Sequence, residues 1–138
     1  MRRIVTLFIF LICIQTFGQE AMRRWRKLNQ VRQDKFDLVL PEAMRENNIA
    51  MWIVTNREGN LDPLYTDMGE GYVGGNAYYI FTDTGKEHIE RAALGVGGYL
   101  MEKGGTYDYL GSANELKDFV ADRDPKTIGL NISAASAT

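Results

Sequence analysis

Cysteine and histidine are almost missing from this chain: its 138 residues contain one of each, Cys13 and His88. Disulfides need cysteines in pairs, so even an oxidising compartment would leave the fold to be held by packing. Metal chemistry needs several His, Cys or carboxylate ligands converging on one point, and His88 has no second ligand at a helical or hairpin spacing. A surface place on a strand beside Glu87 and Glu90 is expected for it. Asp62, Asp67 and Glu70 lack the regular oxygen spacing of a calcium loop, so solvation is their expected state. Nucleophilic catalysis is equally short of parts: Ser112, Ser133 and Ser136 have no strained elbow around them and one histidine to share. There is no surplus of basic charge either, with 16 Lys and Arg against 18 Asp and Glu and a net charge of −2, which disfavours nucleic acid as a partner.

Long hydrophobic runs are also absent. Ile4–Ile14 is apolar behind the basic Met1-Arg2-Arg3, but it falls well short of the roughly 20 residues a spanning helix needs. With small residues at Thr16 and Gly18, the pattern is that of a secretory signal cut before Gln19, which makes residues 1–18 a signal peptide and the protein exported, periplasmic or extracellular. A retained membrane anchor is the competing reading. Cys13 lies in mid-hydrophobic stretch behind Leu11-Ile12, unlike a lipoprotein cysteine, and cleavage would leave no cysteine and a net charge of −4. The one basic cluster, Arg23-Arg24-Trp25-Arg26-Lys27 with Arg32, then follows the cut directly; a solvated helix face explains it more simply than anionic lipid does.

What is present reads as one layered α/β domain. Met22, Trp25, Leu28, Val31, Phe36, Leu40 and Met44 recur at spacings of three to five, giving an apolar helical face from Glu20 to Asn47. Pro41 interrupts it, so a kink or a new helical start is expected near Leu38–Pro41. Asn47-Asn48 tolerate the left-handed end of a helix. Met51-Trp52-Ile53-Val54-Thr55 then shows no polar alternation and reads as a strand buried on both faces. Asn56–Tyr65, dense in turn residues, is a strand-end loop, the usual place for a site in layered α/β folds.

The spelling Gly69-Glu70-Gly71-Tyr72-Val73-Gly74 matches a dinucleotide fingerprint, but that motif requires a helix after it and here a strand follows. A mobile glycine-rich loop over Asp67–Gly75 is expected instead. Residues 77–82 and 87–94 form a hairpin across the tight turn Asp83–Lys86. Tyr99–Leu110 is irregular, Ser112 and Glu115 open a helix as a capping box, Asp124-Pro125 breaks it, and Thr127–Asn131 is a last short strand. Asn131-Ile132-Ser133 spells a glycosylation acceptor.

These elements carry a family resemblance. Arg32-Gln33, LPEAMRENNIAMWIV at 40–54, TNREGNLDPLY at 55–65, YYIFTDTGKE at 78–87 and Pro125–Asn131 together resemble the amino-terminal domain of the creatinase, prolidase and aminopeptidase P family, particularly exported Xaa-Pro aminopeptidase-like members. Ala50 departs from it, since relatives commonly carry an aspartate before this strand. The resemblance implies a layered mixed sheet with flanking helices over 32–138, preceded by a helical lead at 19–31. It further implies a metallopeptidase whose pita-bread-shaped catalytic domain, holding two divalent metal ions and cleaving before proline, is absent from these residues. This chain would then hold no catalytic residue, no metal and no cofactor of its own. Its partners would be that catalytic domain and a second subunit, with the peptide substrate met indirectly and no stable membrane insertion after signal cleavage. Asn56, Arg57, Asn60 and Tyr65 fall in the loop that would reach over a neighbour's active site and gate entry. The alternative is an autonomous secreted α/β binding module without enzymatic activity.

Overall fold

A computed structural model describes residues 2–69 and 71–131, with side chains from Gly18 onward. The signal-peptide reading of residues 1–18 and the acceptor site at Ile132-Ser133 therefore fall almost wholly outside the described side chains. Among the described residues no helix is long and apolar enough to cross a membrane.

The chain forms an α/β domain around a five-stranded mixed sheet. Helix α1 (Arg2–Leu38) runs through the 31/32 boundary without a break and gives way at Val39 to α2 (Leu40–Glu46). Pro41 is the second residue of α2, where an absent backbone donor leaves no helical bond unmade. The break expected near Leu38–Pro41 is thus a new helical start. At the far end Asn48 takes the left-handed conformation, φ 54°, and the chain turns into β1 (Met51–Arg57). The Ala50 N–H is held by the Thr127 hydroxyl at 2.9 Å.

The strand order is β4-β3-β2-β1-β5. β1 runs antiparallel to β2 (Tyr72–Thr82), from Met51 opposite Thr82 to Arg57 opposite Asn76, and parallel to β5 (Ile128–Leu130). β2 pairs antiparallel with β3 (Glu90–Gly97), and β3 parallel with β4 (Tyr109–Gly111). Successive side chains of β1 go to opposite faces. Val54 joins Phe36, Met44, Tyr79 and Phe81 under α1 and α2, and Trp52 stacks on Phe81 at 5.3 Å. Met51 and Ile53 join Ile80, Leu94 and Phe119 of α5 (Leu116–Arg123) on the other face. With both faces covered, the strand needs apolar residues at consecutive positions, which is why it lacks polar alternation. Truncating a fully buried ring such as Phe81 to alanine costs about 3–5 kcal/mol in such a core.

Three expectations are corrected. The glycine-rich segment is not irregular throughout: a short helix α3 (Tyr65–Met68) takes in its first residues, and β2 already begins at Tyr72. Between Val73 and Tyr78 the partner strand advances only from Val96 to Leu94, so the residues around Gly74 and Gly75 bulge out of the ladder. The hairpin's second strand is Glu90–Gly97 and not 87–94, because Asp83 folds back on Gly85 N–H and Arg45 takes the Lys86 carbonyl, drawing residues 83–89 into a longer connection. Gly85 does supply the positive φ, 76°. Finally, Tyr99–Leu110 contains α4 (Tyr99–Gly104) and the start of β4. The capping box is present: Glu115 accepts from the Ser112 N–H at 2.8 Å, and a single 3-10 turn over Ala113–Glu115 leads into α5.

Candidate functional site

The strand-end loop is built on β1. Asn56 is its penultimate residue and alternation turns it inward, to 1% exposure, so it braces the loop and has no surface to offer a ligand. Its side-chain oxygen accepts from Asp62 N–H at 2.9 Å. Asp62, also buried, accepts from Leu64 N–H at 2.8 Å across Pro63, an Asx turn that sets the chain into α3. The other Asp62 oxygen takes an N–H of Asn131. Asn131 in turn accepts from Thr55 N–H at 2.7 Å and donates to the Thr55 carbonyl at 3.3 Å. Its amide therefore extends the β5 ladder by side chain where the backbone pairing with β1 has ended.

The loop is braced from a second side by the bulge. Glu58 N–H reaches the Gly75 carbonyl at 2.7 Å, which is what the displaced glycine segment contributes to the fold. From a third side, Tyr65 and Tyr79 place their hydroxyls on the Gly71 and Gly69 carbonyls, the latter at 2.6 Å. Burial, with the neighbouring Tyr65 adding to it, pushes the Tyr79 phenol far above its usual value, so it serves as a fixed neutral donor.

What this frame presents outward is the tip. Arg57 and Asn60 are exposed and bridged to each other through their backbones, Asn60 N–H to Arg57 O at 2.9 Å, with Gly59 at φ 73° closing the turn. Beside them lies a shallow depression of about 450 Å³ lined by Gly59, Leu61, Tyr65, Gly71, Tyr72 and Val73. Tyr72 is 71% exposed, and nothing in its neighbours marked it as a surface aromatic until β2 was seen to start there. Of the four residues proposed from the sequence, the fold brings Arg57 and Asn60 to one surface, sets Tyr65 half-buried at the floor beside it, and turns Asn56 inside. Leu61 and Tyr72 were missed.

A second polar cluster joins α1 to the sheet. His88 lies in the 83–89 connection, not on a strand; its Nε2 is 2.9 Å from Asp108 Oδ2 and its Nδ1 3.9 Å from Asp37 Oδ1. Arg91, 4% exposed, pairs with Asp37 and lies 5.4 Å from the Phe36 ring centre. Asp67 pairs with Lys35 at 3.1 Å, so it is occupied by a salt bridge and not simply solvated. Among the described residues no group of three or more His, Cys, Asp or Glu side chains is placed to hold a metal ion.

Fold and site together define an α/β domain with a braced strand-end loop. Compared with known proteins, the chain matches no family model, no curated protein and no solved structure.

Proposed function

We propose that this chain is the non-catalytic amino-terminal domain of an exported Xaa-Pro aminopeptidase-like metallopeptidase, and that it serves dimerisation and substrate gating. One observation carries the reading: the loop after β1 is held from three sides and exposes the Arg57–Asn60 turn, whose Gly59 lines an apolar, tyrosine-lined depression. A surface of this kind suits a peptide. A guanidinium matches a terminal carboxylate in a two-pronged fashion, and the Leu61–Tyr72 floor takes apolar side chains. The metal ions and the bond cleavage belong to the catalytic half that the resemblance implies.

The coding sequence beyond Thr138 gives the first test. A continuing frame with an Asp-Asp-His-Glu-Glu ligand set is expected, whereas an immediate stop favours the autonomous binding module. In the longer enzyme, Arg57→Ala should raise KM for an Xaa-Pro peptide roughly tenfold with kcat unchanged, the signature of a lost charged contact made equally in ground and transition states. An unaltered KM removes the loop from substrate selection.

A further inference from the structure

Gln19 lies on the upper part of α1, above Trp25 at the groove, and is exposed. A cut before it, which the export reading requires, makes it the first residue of the helix and gives it the new α-amine. Among the described residues no hydrogen bond engages its side-chain carboxamide, so amide and amine are open to each other. Glutamine has the length for this encounter: its Cδ closes a five-membered ring on the α-nitrogen, where asparagine would have to form a strained four-membered one.

The surroundings disfavour a terminal ammonium at this place. Glu20 is the only carboxylate of the helix between Gln19 and Gln33, and it already accepts from Arg23 at 2.8 Å and from Arg24 at 2.9 Å. A charged amine would therefore stand at the positive end of the helix dipole, beside two guanidiniums that hold its nearest counter-ion. Like charges and the dipole both favour the neutral amine, which is the form with a lone pair to attack. Ring closure removes the charge altogether. It also leaves the helix intact, because the first N–H has no intrahelical acceptor, and a five-membered ring at the first helical position is what proline brings there.

We infer that Gln19 is a modification site, closed in the exported protein to an amino-terminal pyroglutamate. The α-nitrogen bonds to Cδ, the Cδ–Nε2 bond breaks, and one amine proton leaves with Nε2 as ammonia; no oxidant or second substrate is consumed. Because both groups belong to one residue the attack is intramolecular, with the rate advantage that brings. The consequence is protection: an aminopeptidase grips a free α-amine, and this exposed helix end would present none. The inference rests on the export reading and uses neither the strand-end loop nor any second domain.

The test is mass spectrometry of tryptic peptides from the protein taken fresh from cells that naturally produce it. The peptide from Gln19 to Arg23 is expected one ammonia lighter than its sequence, and pyroglutamyl peptidase should remove its first residue. An added aminopeptidase of broad specificity should leave the native protein whole and trim the Gln19→Ala variant, which cannot close the ring. An amino terminus at Gln19 with a free amine overturns the proposal and leaves the export reading standing. An amino terminus at Met1, or a cut at any other bond, overturns both. A lactam absent from fresh protein and formed only on storage overturns the proposal as well.

Discussion

Asn131 stands at the end of β5 with one amide group that does the work of a further pair of ladder bonds. Thr55 N–H and C=O are both met by it, and its remaining N–H goes to Asp62, the residue that turns the loop. Asn131→Ala leaves a half-buried strand amide and a buried carboxylate each short of a partner. A loss of about 1–3 kcal/mol is expected from urea unfolding, with the Arg57 loop loosened in the same variant. A fall of less than half a kcal/mol would mean that water replaces the clasp freely. A different residue sets the acid limit. The Arg45 guanidinium, with help from the Gly85 N–H, holds the Asp83 carboxyl below its ordinary value of 3.8. A carboxyl depressed in the folded state contributes stability that is present above its unfolded pKa and is lost as pH falls through the folded one. Melting temperature should therefore drop below about pH 4, and Arg45→Met should be less stable at neutral pH with a shallower acid drop. Parallel pH curves for the two proteins would detach Asp83 from acid stability.

Among the elements, the junction of β2 and β3 depends on one glycine. Leu94 belongs to the α5 face and Val96 to the α1 face, so the chain changes phase between them, and Gly95 does this with φ 72°. A Cβ there would stand 2.5 Å from the Asn76 carbonyl and 2.8 Å from the Ala113 side chain. Gly95→Ala combines a left-handed conformation with a backbone clash and should cost about 2 kcal/mol or more, measured by thermal unfolding. A neutral outcome would mean that the bulge can relax. This junction also marks where sequence pattern stops being informative. The β1 pentapeptide, the Asn48 turn, the capping box and the Asp124-Pro125 break were legible because each is decided by a few adjacent residues. The extent of β2 was not, since the bulge that separates Tyr72-Val73 from Tyr78 is held by Glu58, an element away. Nor was the start of β3: Glu87–Ile89 alternates as a strand would, yet Arg45 and Asp83 hold the connection from α2. For α4 there was a usable local signal, Leu100-Met101-Glu102-Lys103 as helix formers before a left-handed Gly105. In the candidate site, strand parity would have set Asn56 on the Val54 face and Arg57 on the opposite one, had the strand been extended by two residues.

For the whole molecule, the consequence is an uneven distribution of stability. The sheet is covered on both faces, α5 is fastened to β3 by the Arg123–Glu90 pair, and the lower part of α1 is fastened by Asn29 and Gln33 on Gly104 and by Asp37 on Arg91. Above Asn29 the described part of α1 lines the groove through Trp25 and Leu28. If the chain is cut before Gln19, the part of α1 above Asn29 is a helix segment of about ten residues, which has little stability of its own in water because nucleation and propagation barely balance. Hydrogen exchange should therefore divide α1 in two. Amides of residues 30–38 should open only with the sheet, at close to the global unfolding free energy. Those of 20–27 should open several kcal/mol more easily, as a local fraying unit. Uniform protection from Gln19 to Leu38 would show instead that the upper helix is packed against something other than its groove.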